Sequence, residues 1–108
     1  MDKPNRIEQI VREYRDRLAE ILGEELESVV LYGSQARGDA QEGSDIDVLC
    51  VMRAPFDYGA LIKRTAEAAA QISLKYDVAI STAFVVSEEY RTRNTPFLMN
   101  VRREGVAV

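Results

Sequence analysis

Hydrophobic positions recur at helical spacing over residues 5–22: Ile7, Ile10, Val11, Tyr14, Leu18, Ile21 and Leu22, with arginine and glutamate filling the opposite face. Asn5 suits an N-cap, and Gly23 stands where a helix would stop. Charges on the polar face alternate in sign (Arg12 beside Glu13, Arg15 beside Asp16), the pattern of a solvated helix rather than of a nucleic-acid stripe. The period then changes. Residues 28–32 and 45–51 are short runs rich in β-formers, joined by a polar segment that starts at Gly33 and contains Gly38 and Gly43. After a break at Pro55, Asp57 caps a long helix through Leu61, Ile62, Thr65, Ala69 and Ile72 that ends near Lys75. Residues 77–80 read as a third strand, and 82–86 as an extension of the sheet. Ser87 is expected to cap a short helix over 88–93. Thr95 and Pro96 open a last helix as N-cap and first residue; Phe97, Leu98 and Val101 face the core, and Gly105 ends it. Residues 106–108 can add a terminal strand.

The order α-β-(short α)-β-α-β-α predicts one domain over residues 1–108, α/β or α+β in class, with helices against one sheet. The length of 108 residues agrees with one domain. The composition narrows the chemistry more than the fold. There is no histidine and one cysteine, which removes imidazole bases, His-ligated zinc, triads and disulfides. Carboxylates, hydroxyls, lysine, arginine and bound metal remain. A net charge of −4 argues against a protein held on nucleic acid by bulk charge. No apolar run approaches the ~20 residues of a membrane span, and residues 1–5 lack the apolar core of a signal peptide, so a cytoplasmic location is expected.

Within that inventory one segment stands out. Asp45 and Asp47 are two apart in a strand, so both project to one face while Ile46 points to the other. Adjacent like charges favour a hard divalent cation, Mg²⁺ above all, although an Asp-x-Asp alone also suits a solvated strand end. Gly33-Ser34, directly after a strand, lets backbone approach a phosphate closely; alone it is equally an ordinary strand-to-helix turn. Arg37 adds a cation, for phosphate or for a local ion pair. Together they give Gly-Ser, ten residues, then Asp-x-Asp. Cys50, on an apolar strand, reads as a buried small hydrophobe, and Tyr58, Tyr76 and Tyr90 as packing residues.

The run from Gly33 to Gly38, continued by Ser44-Asp45-Ile46-Asp47-Val48, resembles the nucleotidyltransferase superfamily typified by DNA polymerase beta, in particular its minimal single-domain (MNT) branch. The helix before the first strand and the tail from Pro96 to Gly105 are also similar to minimal members. The resemblance implies a small mixed β-sheet packed with helices. It implies phosphate binding by Gly33, Ser34 and Arg37, and a third carboxylate at Asp77 that would join Asp45 and Asp47 around two Mg²⁺ ions, as metal ligand or as base. ATP would be the nucleotide donor. Larger members add an acceptor-binding domain, so an acceptor supplied by a second chain is expected. Minimal members pair with HEPN ribonuclease toxins and act as antitoxins that transfer AMP to a toxin tyrosine. A small-molecule hydroxyl such as that of an aminoglycoside, or simple masking of the partner without catalysis, are the alternatives.

Overall fold

A computed structural model describes residues 5–38, 40, 43 and 45–108. The elements are α1 (Arg6–Leu22), a 3₁₀ turn (Gly23–Glu25), β1 (Leu26–Tyr32), α2 (Ser34–Arg37), β2 (Ile46–Met52), α3 (Tyr58–Tyr76), β3 (Ile80–Val86), α4 (Ser87–Thr92), α5 (Pro96–Glu104) and β4 (Val106–Ala107). The strands form one mixed sheet in the order β3-β2-β1-β4, with β1 antiparallel to β2 and β4, and β2 parallel to β3. The class is α+β, with helices on both faces of the sheet.

Side-chain alternation divides the sheet between two cores. Val29, Leu31, Ile46, Val48, Cys50, Met52 and Phe84 point to one face, where Ile10, Val11, Tyr14, Leu18 and Leu22 of α1 and Leu61, Ala68 and Ile72 of α3 cover them. Val30, Leu49, Val51 and Val85 point to the other, against Leu98 and Val101 of α5. Among the described residues the buried side-chain polar atoms are paired. Tyr14 is fully buried, and its hydroxyl shares a 2.8 Å hydrogen bond with Thr82 Oγ1; burial pushes its pKa up to about 12. Burial likewise pushes the Cys50 thiol up to about 12, which leaves it an inert core residue, as its apolar setting suggested. Among the described residues no helix is long and apolar enough to cross a membrane.

Local sequence accounts for most element ends. The side chains of Asn5, Asp57 and Thr95 accept hydrogen bonds from the N–H groups of Glu8 (2.8 Å), Ala60 (2.9 Å) and Leu98 (3.2 Å). Two expectations are corrected. Ser87 does not cap α4: it begins the helix, and its buried hydroxyl donates to Glu27 Oε2 at 2.6 Å. Residues 77–80 do not form the third strand, which is Ile80–Val86. Instead α3 runs on to Tyr76, and Asp77 caps it in the left-handed conformation (φ 52°, ψ 53°), with both Asp77 and Val78 N–H groups bonding back to the Ser73 carbonyl. Tertiary contacts hold that last turn in place: Arg6 donates to the Tyr76 carbonyl, and the Tyr76 hydroxyl and Lys75 both reach Glu13 of α1.

Where α5 ends against β1, Gly105 has no room for a side chain. A Cβ on Gly105 would stand 2.5 Å from the Val101 carbonyl oxygen and 2.6 Å from Val30 Cγ1. Gly105→Ala is therefore expected to destabilise the fold by about 1–3 kcal/mol through overpacking, measured by urea unfolding. An unchanged midpoint would show that α5 is not seated tightly on β1.

Candidate active site

The site begins with register. Tyr32 of β1 pairs with Asp47 of β2, and Asp47 pairs with Ser81 of β3, so the three form one row across the sheet. Ile46 and Val48 point into the α1/α3 core, and the pleat therefore sends Asp47 to the opposite face with Leu49 and Val51. Asp45 is exposed just before the strand, and Ile46 N–H anchors the strand start to the Ala79 carbonyl at 2.8 Å. The shared face expected for the two aspartates thus starts from an ordinary β alternation. Ser44, the remaining residue of that motif, lies outside the described residues.

Gly33 follows Tyr32 and turns the chain with φ +75°. Its missing side chain matters twice. The angle is one that glycine adopts at little cost, and a Cβ there would stand 2.4 Å from Asp47 Oδ2. Ser34 opens α2, a single turn in which the Ala36 and Arg37 N–H groups both return to the Gly33 carbonyl at 3.1 Å. Gly38, left-handed at φ 81°, closes the turn by donating to the Ser34 carbonyl at 3.0 Å. The glycine-serine turn therefore lies directly against the Asp47 carboxylate.

The electrostatics favour a cation. Burial first, then the neighbouring Asp45 charge, raise the Asp47 pKa above its ordinary value, and Arg37 partly offsets them. The Tyr32 hydroxyl is pushed up by burial, Asp47 and Tyr58 in that order. Its ring meets Phe97 of α5 edge-on, with centroids 5.4 Å apart. Arg37 makes an ion pair with Glu104 of α5 at 3.1 Å, a partner distant in sequence rather than a local one.

Asp77 is not gathered into this constellation. It caps α3, and the residue that β3 sets beside Asp47 is Ser81. Among the described residues no three of His, Cys, Asp and Glu stand close enough together to hold a metal ion. Asp45 and Asp47 form a pair of hard oxygen donors suited to one divalent cation, and the third carboxylate expected from sequence is not beside them. Sequence reasoning overlooked Ser81 and Glu104. Ser81 depends on parallel register, but Glu104 carried a signal: it is an acid in a helix's last turn, where basic residues are favoured.

Comparison with known proteins decides the family. Residues 11–103 match the nucleotidyltransferase domain family. The chain belongs to it. A Methanocaldococcus jannaschii relative, named as a candidate protein adenylyltransferase, is 34% identical over 102 residues, covering 93% of this chain and 96% of the relative. The fold is the polymerase beta-like nucleotidyltransferase fold, and two solved structures share it. One, a toxin–antitoxin with AMP-PNP, has a TM-score of 0.60 at 19% identity and covers 87% of this chain and 68% of its own. The other is a Shewanella oneidensis tri-AMPylated HEPN toxin in complex with MNT antitoxin; its matching chain has a TM-score of 0.51 at 16% identity, with coverages of 89% and 69%. For this nucleotidyltransferase domain, the Gly33 contact places the family's glycine-serine motif against its Asp-x-Asp motif.

The raised Asp47 pKa has a consequence for stability. Between the ordinary value of 3.8 and the raised folded value, the native state holds more protons than the unfolded chain, so stability falls as pH rises through that window. Asp47→Asn is thus expected to melt at a higher temperature than wild type at pH 7 without divalent cations, the advantage fading below pH 3.8. Added Mg²⁺ should raise the melting temperature of wild type and not of the variant. A variant less stable at both pH values would contradict this.

Proposed function

We propose that this nucleotidyltransferase is an ATP- and Mg²⁺-dependent protein adenylyltransferase, the antitoxin of a pair in which it transfers AMP to a tyrosine of a HEPN ribonuclease toxin. The observation that carries the nucleotidyl-transfer part is the contact of Gly33 with the Asp47 carboxylate. Phosphate-accessible backbone and a paired-carboxylate cation site are thereby contiguous. A protein acceptor is supported by the name of the M. jannaschii relative, and a HEPN toxin as acceptor by the S. oneidensis complex.

Asp45 and Asp47 would hold Mg²⁺, which when bound neutralises phosphate charge and stabilises the departing pyrophosphate. The rest of the chemistry falls to the chain. The Gly33–Ser34 turn lets backbone approach the triphosphate without a side chain in the way. Arg37, on the same turn, adds positive charge beside it. The acceptor tyrosine oxygen forms a bond to the α-phosphorus as the bond to the bridging oxygen breaks; the tyrosine proton passes to solvent and pyrophosphate leaves. A two-metal mechanism is typical of the family; Asp45 and Asp47 would hold the ion on the triphosphate, and Asp77, which caps α3, forms no group of three with them.

Incubation with α-labelled ATP, Mg²⁺ and the protein encoded beside this one tests the reading. Label is expected on a partner tyrosine, reduced about 100-fold or more in Asp45→Ala and Asp47→Ala. Tight complex formation without transfer would replace it with masking, and transfer to a small hydroxyl compound but no protein would make the acceptor a small molecule.

A further inference from the structure

Arg37 reaches across the domain to a partner 67 positions away: its Nη1 donates to Glu104 Oε2 at 3.1 Å. Glu104 is unusual where it stands. It is the last residue of α5, whose final turn also carries Arg102 and Arg103, and a carboxylate at a helix C-terminus is opposed by the helix dipole. A residue that breaks a local rule calls for a tertiary reason. Arg103 does not provide a sufficient one, since its contact with Glu104 is longer, at 3.6 Å, and more exposed. Neither can Glu104 drift, because Gly105 is seated against Val30 and the Val101 carbonyl with no room for a Cβ.

The ion pair also borders the glycine turn. A cleft of about 240 Å³ is lined by Tyr32, Gly33, Phe97 and Asn100 together with Arg37 and Glu104. Within the pair Arg37 is the more accessible partner, with 43% of its side chain exposed against 22% for Glu104. A guanidinium has five N–H donors in a planar fork, so one carboxylate does not use them all. We propose that Glu104 is a positioning residue that holds Arg37 in the cleft beside Gly33, where its guanidinium binds the β- and γ-phosphates of a nucleoside triphosphate. This rests on the nucleotide-binding reading above. The pair links α5 to the phosphate turn and orients a long, flexible side chain before the ligand arrives.

The test is calorimetric binding of a non-hydrolysable ATP analogue and of AMP, each with Mg²⁺, to wild type, Glu104→Gln, Arg37→Gln and the double variant. Glu104→Gln is expected to weaken the triphosphate analogue about 5- to 10-fold and to leave AMP within about twofold. Because Glu104 acts through Arg37, the double variant should bind no more weakly than Arg37→Gln alone. Unchanged triphosphate affinity in Glu104→Gln, equal losses for both ligands, or additive losses in the double variant would each overturn the proposal while leaving nucleotide binding intact. Wild type that binds neither ligand would overturn both.

Discussion

The contact between Gly33 and the Asp47 carboxylate is the constraint on which the site depends. It exists because β1 and β2 pair in a register that sets Tyr32 opposite Asp47, so that the first residue beyond the strand is the one that meets the carboxylate. A slip of one residue would turn Asp47 into the core and Val48 out of it, so burial of Ile46, Val48 and Cys50 enforces the register. The hydrophobic core thus sets the position of a charge. The same register explains why glycine is needed at 33, where a side chain would collide with the carboxylate and would also have to adopt φ +75°.

That arrangement opposes the stability of the empty protein. Asp47 is partly buried beside the Asp45 charge, and Arg37 relieves it only in part while also paired with Glu104. The remainder of the molecule supports this local strain: one core lies beneath α1 and α3, a second beneath α5, and buried hydroxyls are bonded. Functional sites commonly hold charge in this way, with the unfavourable interaction relieved when a ligand of opposite sign arrives.

How much was legible in the sequence follows from how local each cause was. Caps at Asn5, Asp57 and Thr95 act over three or four residues and were readable, as were the stops at Gly23 and Gly105. The outward face of Asp47 needed only strand periodicity, and Asp45 lies just before the strand. Asp77 was misplaced because the end of α3 is decided by Arg6, Glu13 and Tyr76, contacts some seventy positions apart along the chain, and not by residues 77–80 themselves. Ser81 could be placed next to Asp47 only from the register of β2 and β3. The partner of Arg37, Glu104, is 67 positions away and could not be read from the segment itself.

The central claim is that the aspartate pair and the glycine-serine turn form a single nucleotide-phosphate site. Anomalous diffraction from crystals grown with Mn²⁺ and a non-hydrolysable ATP analogue tests it most directly. A Mn²⁺ peak coordinated by both Asp45 and Asp47 is expected, with triphosphate oxygens against the Gly33–Ser34 backbone. A metal bound elsewhere, or a triphosphate that does not touch that turn, would contradict it.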